Sequence, residues 1–184
     1  MQTTYVLHLL AVGGILSPLA EENPYWHNAN HVLVPYCSSD SWSGTRPSVS
    51  NESEWRFMGA LILQQVIADL IPYGLGRTEG AELLLVGSSA GGLGVMLNLD
   101  NITNYLVNER KLNVTVRGVS DSGWFLDREP YEPYGSTAVG STEAVRKGYK
   151  LWQGVLPTAC AEQHVQEPWR CYFGYRLYPS LKCK

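Results

Sequence analysis

Leu83-Leu84-Leu85-Val86-Gly87-Ser88-Ser89-Ala90-Gly91-Gly92 is the stretch on which the reading of this chain turns. Four aliphatic residues in succession suit a buried strand. Beyond the glycines, Val95 to Leu106 is apolar at helical spacing and predicts a helix. Between the two, Gly87-Ser88-Ser89-Ala90-Gly91 fits the pattern G-x-S-x-G. Such a strand-to-helix turn is sharp enough to lift the oxygen of its central serine above the sheet edge. Side chains at the flanking positions would clash in it, so glycine is expected at both Gly87 and Gly91. The helix that follows aims its first N–H groups at the serine oxygen and favours negative charge developing there. The backbone N–H of Ala90 is then one oxyanion donor. The pattern alone is common; its place between a strand and a helix makes it specific. A phosphate-binding loop is the rival reading, but its Gly-Lys-Ser/Thr ending is absent and no lysine follows. A purely structural turn is the plainer alternative. Ser89 reads as a nucleophile at the top of a nucleophile elbow.

Working outward, His31 to Tyr36 contains Val32-Leu33-Val34, ended by Pro35, and predicts a buried strand. Cys37 to Ser53 is rich in Ser, includes Gly44 and Asn51, and predicts a loop. Met58, Leu61, Ile62, Val66 and Leu70 recur at helical spacing, with Gln64, Gln65 and Asp69 on the polar side; Pro72, Gly74 and Gly76 stop that helix. Val114 to Val119 supplies another strand, ending in Ser120-Asp121-Ser122-Gly123. Strands alternating with helices predict the α/β class, with a parallel sheet covered on both faces. There is no internal repeat and no low-complexity linker.

The 184 residues amount to one ordinary domain or a piece of a larger one. With 45% hydrophobic and 17% charged residues the chain is globular in composition, which argues against disorder. Fourteen Lys and Arg against 17 Asp and Glu give a net charge of −3, and that balance disfavours nucleic acid as a partner. Six Trp and 11 Tyr suit a cleft with apolar walls as well as a core. No CxxC pair occurs among Cys37, Cys160, Cys171 and Cys183, so no metal site is expected. Cys160 and Cys171 lie eleven apart in a Trp- and Pro-containing stretch, a plausible span for a local disulfide; the alternative is two buried thiols. Cys37 and Cys183 have no obvious local partner. Asn51, Asn101 and Asn113 each begin an Asn-X-Ser/Thr triplet and are candidate N-glycan acceptors. Tyr5 to Leu16 is an apolar run of signal-peptide length, yet no Lys or Arg precedes it and Gly13-Gly14 interrupt it. Its twelve residues are short of the roughly 20 that span a bilayer, so no membrane span is expected.

A serine nucleophile needs a base, and the base an orienting acid. The order Ser, acid, His expected after such an elbow is met within this chain by Ser89, Asp121 and His164. His164, however, is the only histidine after Ser89 and lies inside the Cys160–Cys171 stretch, where a solvated residue is the commoner outcome.

Residues 21–30 (EENPYWHNAN), 34–44 (VPYCSSDSWSG), 57–67 (FMGALILQQVI), 83–95 (LLLVGSSAGGLGV), 116–127 (VRGVSDSGWFLD) and 172–183 (YFGYRLYPSLKC) together resemble the pectin acetylesterase family. The resemblance runs from about Gly14 to Cys183, giving a divergent segment 1–13 and a partial domain 14–184. It implies an α/β-hydrolase fold, a serine carboxylesterase activity without cofactor, and secretion. Most similar is the branch that removes palmitoleate from a serine of Wnt proteins, which makes a palmitoleoylated Wnt protein the implied substrate and restraint of Wnt signalling the implied role. By position, Ser89 matches the family's nucleophile and Ala90 an oxyanion donor. Trp124, Phe125, Val145, Tyr172 and Phe173 fall where that branch builds its lipid pocket, although core packing is the ordinary use of such residues. The departures are equally specific. The family's Gly-Gly-Trp oxyanion motif lies upstream of residues 21–26, and Gly13-Gly14 are not that motif. Its acid and base lie beyond the position of Lys184, which demotes Asp121 and His164 and implies no turnover by this chain alone. Leu93 and Tyr172 replace an expected threonine and phenylalanine, and two cysteines expected between Asp127 and Thr142 are missing. Two other functions stay open: acyl-chain binding without cleavage, and deacetylation of the pectin-acetylesterase kind.

Overall fold

Residues 81–88 form a strand because the run Ala81-Glu82-Leu83-Leu84-Leu85-Val86 offers aliphatic side chains to a covering helix. In a computed structural model that describes residues 13–47, 55–128 and 141–182, this strand, β1 (Ala81–Ser88), pairs in parallel with β2 (Val114–Asp121). The register sets Leu83 opposite Val116, Leu85 opposite Gly118 and Gly87 opposite Ser120. Preceding them is helix α1 (Gly59–Leu70); between them lies α2 (Ala90–Thr103), continued by a π-helical stretch, Asn104–Glu109. After β2 come α3 (Ser141–Trp152), α4 (Thr158–Gln163) and α5 (Gly174–Leu177), with 3-10 turns at Pro168–Tyr172 and Tyr178–Ser180. This is the α/β arrangement expected from the sequence.

Two apolar clusters hold these elements. One gathers Ile67 of α1, Leu99, Ile102 and Leu106 from α2 and its extension, and Val114 and Val116 of β2, with Leu83 and Leu85 packed against them. The other joins Leu93, Met96 and Leu97 of α2 to Cys160, Cys171, Tyr172, Leu177 and Leu181. Helix α2 is therefore buried along nearly its whole circumference, from Gly92 to Leu99. Close approach is made possible at Gly118, where a Cβ would stand 2.8 Å from a Val95 methyl.

Three expectations need correction. Among the described residues the sheet is covered by α2 on one face only: Val86 and Val119 on the other are 44% and 42% exposed. Residues 32–34 form no strand, and Leu33 is 56% exposed. An aliphatic run becomes a strand only when a neighbour accepts its backbone hydrogen bonds, and no described residue does so there. On α1 the inward side is Ala60, Leu63, Ile67 and Leu70, while Leu61 and Ile62 face solvent. Its residues are apolar on most sides, so helical spacing fits more than one stripe and the packing partner chooses between them.

The chain separates into two compact units, Met1–Pro35 and Tyr36–Lys184. Within the first, the buried Asn23 amide donates to the carbonyls of Ile15 (2.8 Å) and Ser17 (3.0 Å), and its oxygen accepts the N–H of Trp26 at 3.1 Å. Most of the apolar run 5–16, the acceptor Asn51 and Cys183 lie outside the described residues. No described helix is long and apolar enough to cross a membrane.

Candidate active site

The turn between β1 and α2 has the geometry that the motif demands. Ser89 sits at φ 55°, ψ −119°, a region that non-glycine residues avoid at a cost of about 1–3 kcal/mol. The turn is held from both sides: the Ser89 N–H donates to the Asp121 carbonyl at 2.8 Å, and the Ser89 carbonyl accepts the Leu93 N–H at 3.1 Å. Ser89 occupies the N-cap of α2, where serine normally accepts an N–H in its side chain, yet its hydroxyl makes no capping bond. The residue is exposed, and the first N–H groups of α2, Ala90 among them, lack intrahelical partners. An exposed oxygen at the positive end of a buried helix is what nucleophilic attack and oxyanion stabilisation both require.

The tight glycine positions differ partly from the expectation. A Cβ on Gly87 would lie 2.2 Å from the Gly91 carbonyl oxygen, so Gly87 is obligatory. Gly91 has room, its nearest neighbour being Trp42 Nε1 at 3.9 Å. The second crowded position is Gly92, whose Cβ would meet the Asp121 carbonyl at 2.8 Å and the Gly87 carbonyl at 3.0 Å. Gly92 thus lets α2 dock on the end of β2.

Asp121 lies beside the elbow, but its carboxylate is engaged by hydroxyls: Ser88 donates to Oδ2 at 2.7 Å and Ser122 to Oδ1 at 3.1 Å. His164 stands at the end of α4 and lines a different cleft with Gln163, Glu167, Arg170 and Arg176. No described hydrogen bond joins His164 to Asp121 or Ser89, so the order Ser89, Asp121, His164 is not assembled into a triad.

The residues assigned to a lipid pocket divide into two groups. Tyr172 and Phe173 are each 1% exposed. Tyr172 Oη lies 2.6 Å from Ser43 Oγ, and burial pushes its phenol well above the ordinary value. Phe173 meets Trp169 edge-on at 6.3 Å, and Val145 packs partly buried against the Tyr172 cluster. Trp124 and Phe125 are exposed; Trp124 lies over Gly174 and 5.9 Å from the Tyr178 ring. Two cavities, about 230 and 370 Å³, lie between α1 and α2 and beside His164, and neither reaches Ser89. Cys160 and Cys171 form a disulfide, while Cys37 is exposed and bonds to no other cysteine among the described residues. Among the described residues no cluster of His, Cys, Asp or Glu could hold a metal.

Two acids that sequence reasoning passed over organise the surroundings. Asp40 is completely buried and accepts from Ser38 Oγ (2.5 Å), Trp42 N (3.0 Å), Gly44 N (3.1 Å) and Gly59 N (2.7 Å). It ties the 38–44 loop to the start of α1 and so fixes Trp42, which packs on Gly94 of α2. Asp127, largely covered, accepts from Tyr175 Oη (2.6 Å), Arg170 (3.1 Å) and Arg176 (3.2 Å). Burial would raise the Asp127 carboxyl, but the Tyr175 hydrogen bond and the Arg176 charge overcome it and hold the group below the usual aspartate value. Nothing in Ser38-Ser39-Asp40 distinguishes a buried hub from a polar loop.

The Pectinacetylesterase family matches the chain over residues 1–184. The chain belongs to the pectinacetylesterase family. Its relatives within that family include palmitoleoyl-protein carboxylesterase NOTUM of Drosophila melanogaster, 74% identical over 174 residues, covering 93% of this chain and 26% of that protein. The human protein of the same name is 49% identical over 175 residues, covering 92% and 34%. A crystal structure of the Wnt deacylase Notum from Drosophila superposes with a TM-score of 0.88 at 71% identity, over 94% of this chain and 49% of that one. The pectinacetylesterase fold seen here is accordingly that of an α/β-hydrolase. This chain spans about a quarter to a third of the length of the curated relatives it matches.

Proposed function

We propose that the chain carries the nucleophile portion of a secreted serine carboxylesterase whose substrate is a palmitoleoylated Wnt protein. The observation that supports this best is Ser89 itself, strained at φ 55° between β1 and α2, exposed and with its hydroxyl uncapped. In the proposed reaction Ser89 Oγ bonds to the acyl carbon, its proton passing to a base. The carbonyl oxygen becomes an oxyanion facing the Ala90 N–H. Collapse breaks the ester C–O bond and releases the Wnt serine hydroxyl; water then frees palmitoleate from Ser89. Trp124 and Phe125, both exposed, contribute walls to the acyl site, and Val145, Tyr172 and Phe173 belong to the packed region behind them, which the Gly174 N–H ties to the Phe125 carbonyl at 3.1 Å. Since no described histidine bonds to Ser89, we assign base and acid to the length of the relatives that this chain does not span. The Asn101 and Asn113 sequons suit a secreted chain, as does the Cys160–Cys171 disulfide.

The test uses p-nitrophenyl octanoate and acetate with this chain and with a full-length counterpart. The full-length enzyme should cleave octanoate faster than acetate, and Ser89→Ala should lower kcat on the order of 10⁶-fold. This chain alone should not exceed the buffer rate. Ser89-dependent turnover by the chain alone would overturn the placement of base and acid, and a preference for acetate would favour a deacetylase. Tight binding of a fluorescent palmitoleoyl peptide by this chain without cleavage would favour an acyl-binding role.

A further inference from the structure

The groove of about 230 Å³ between α1 and α2 is smaller than the roughly 300 Å³ at which sites for drug-sized ligands begin. Leu61 and Gln64 of α1 form one wall; Asn98, Asn101 and Tyr105 form the other. Positions 101 and 105 are one helical turn apart, so both side chains lie on the same face. The three asparagines that line the groove, Asn98, Asn101 and Asn104, are not equivalent. Asn98 donates to the carbonyls of Trp42 and Gly94, both at 2.8 Å, and Asn104 donates to Glu109 at 2.8 Å while accepting from Asn108 at 2.9 Å. Asn101 is exposed and its amide has no hydrogen bond to a described residue. It is also the acceptor position of Asn101-Ile102-Thr103.

We propose that Asn101 is N-glycosylated and that its first N-acetylglucosamine lies in this groove. The lining matches a sugar ring: Leu61 (38% exposed) and the Tyr105 ring face its apolar side, and Gln64 and Glu109 meet its hydroxyl and acetamido groups. In the modification, Asn101 Nδ2 bonds to C1 of the terminal sugar of a polyprenyl-pyrophosphate-linked oligosaccharide. The C1–O bond to pyrophosphate breaks, the polyprenyl pyrophosphate leaves, and the amide proton passes to a base of the transferase. In the folded chain the Thr103 hydroxyl is turned back to the Leu99 carbonyl at 2.8 Å, so transfer takes place before α2 closes. Asn113 is exposed too, in the connection leading into β2, but it lines neither cavity, and a glycan there would stand in solvent.

The inference rests on the secretory reading above, and the experiment separates the two. In animal cells held at the high-mannose stage, the chain is expressed behind an added secretion signal and a full-length counterpart is expressed with its native N-terminus. Medium and cell pellet are both digested with peptide N-glycosidase in heavy-oxygen water and mapped by mass spectrometry. Isotope-labelled Asp at position 101 in the signal-led chain, lost in Asn101→Gln and in Thr103→Ala, is the expected result. An unmodified Asn101 in that chain overturns the inference. A full-length counterpart that stays in the cell pellet while the signal-led chain carries the label overturns the secretory reading and leaves the inference standing. The groove is read on the glycosylated protein by oxidative footprinting of Tyr105. Trimming to a single sugar with an endoglycosidase should leave Tyr105 protected, and complete removal should raise its oxidation several-fold. Equal oxidation in both states overturns the placement in the groove.

Discussion

Ser89 and Tyr172 are both named by the sequence, yet they sit in opposite physical settings. Around Ser89 the residues are small, the backbone is strained and the serine faces solvent, beside a sheet face on which Val86 and Val119 remain open. Around Tyr172 the side chains are large and sealed. A disulfide, the Ser43 hydroxyl and the rings of Tyr149 and Trp152 surround it, and the Asp127 network braces the neighbouring Arg170 and Arg176. The elbow keeps its strained shape because the second region and the Asp40 hub fix the helix behind it. Strain at a reactive group persists only where the surroundings over-determine it.

The largest test of that dependence is Asp40→Ala. It removes a buried carboxylate and leaves the N–H groups of Trp42, Gly44 and Gly59 without their acceptor. A loss of roughly 3–5 kcal/mol in denaturant unfolding is expected, although Asp40 lies outside the elbow. Next, replacing both Cys160 and Cys171 by serine should cost close to 3 kcal/mol for a loop of this length under oxidising conditions. An unchanged melting curve would show that packing alone seals the Tyr172 region. Third, Gly87→Ala should cost about 1–3 kcal/mol through overpacking against the Gly91 carbonyl. Gly91→Ala should stay within about 0.5 kcal/mol, because a Cβ there meets only ordinary contacts. Equal losses at the two positions would contradict the described elbow.

The smallest effect concerns pH. The Asp127 carboxyl is held below its ordinary value, so its contribution is complete above the unfolded aspartate range and is lost as pH falls through the lower folded value. Stability of the 160–177 region should therefore decline only at strongly acid pH. Asp127→Asn should flatten that decline in an acid titration followed by Trp fluorescence, and an unchanged slope would show that the Arg170 and Arg176 pairs are idle.

What could be read in advance follows the range of each interaction. Leu83 to Val86, the Gly87–Gly91 turn and Val114 to Val119 announce themselves through runs and spacing, and both strands and α2 stand where the residues placed them. Helix α2 nevertheless begins at Ala90, five residues before its apolar pattern, because the turn at Ser89 nucleates it. Residues 32–34 mislead, since an aliphatic run carries no information about whether a strand will lie beside it. The helical face of α1 is ambiguous for a related reason. Leu61 and Ile62 fit the spacing as well as Leu63 and Ile67 do, and only the packing against α2 selects among them.

By itself the sequence determined the α/β class, the elbow with Ser89 at its apex and the membership implied by its combined motifs, because each depends on residues close together in the chain. Tertiary structure alone decided that Gly92 rather than Gly91 is crowded, that Asp121 and His164 stay apart, and that Asp40 joins a loop to a helix 19 residues away. Those outcomes depend on which backbones approach through space, and burial then converts an ordinary polar residue into a fixed one.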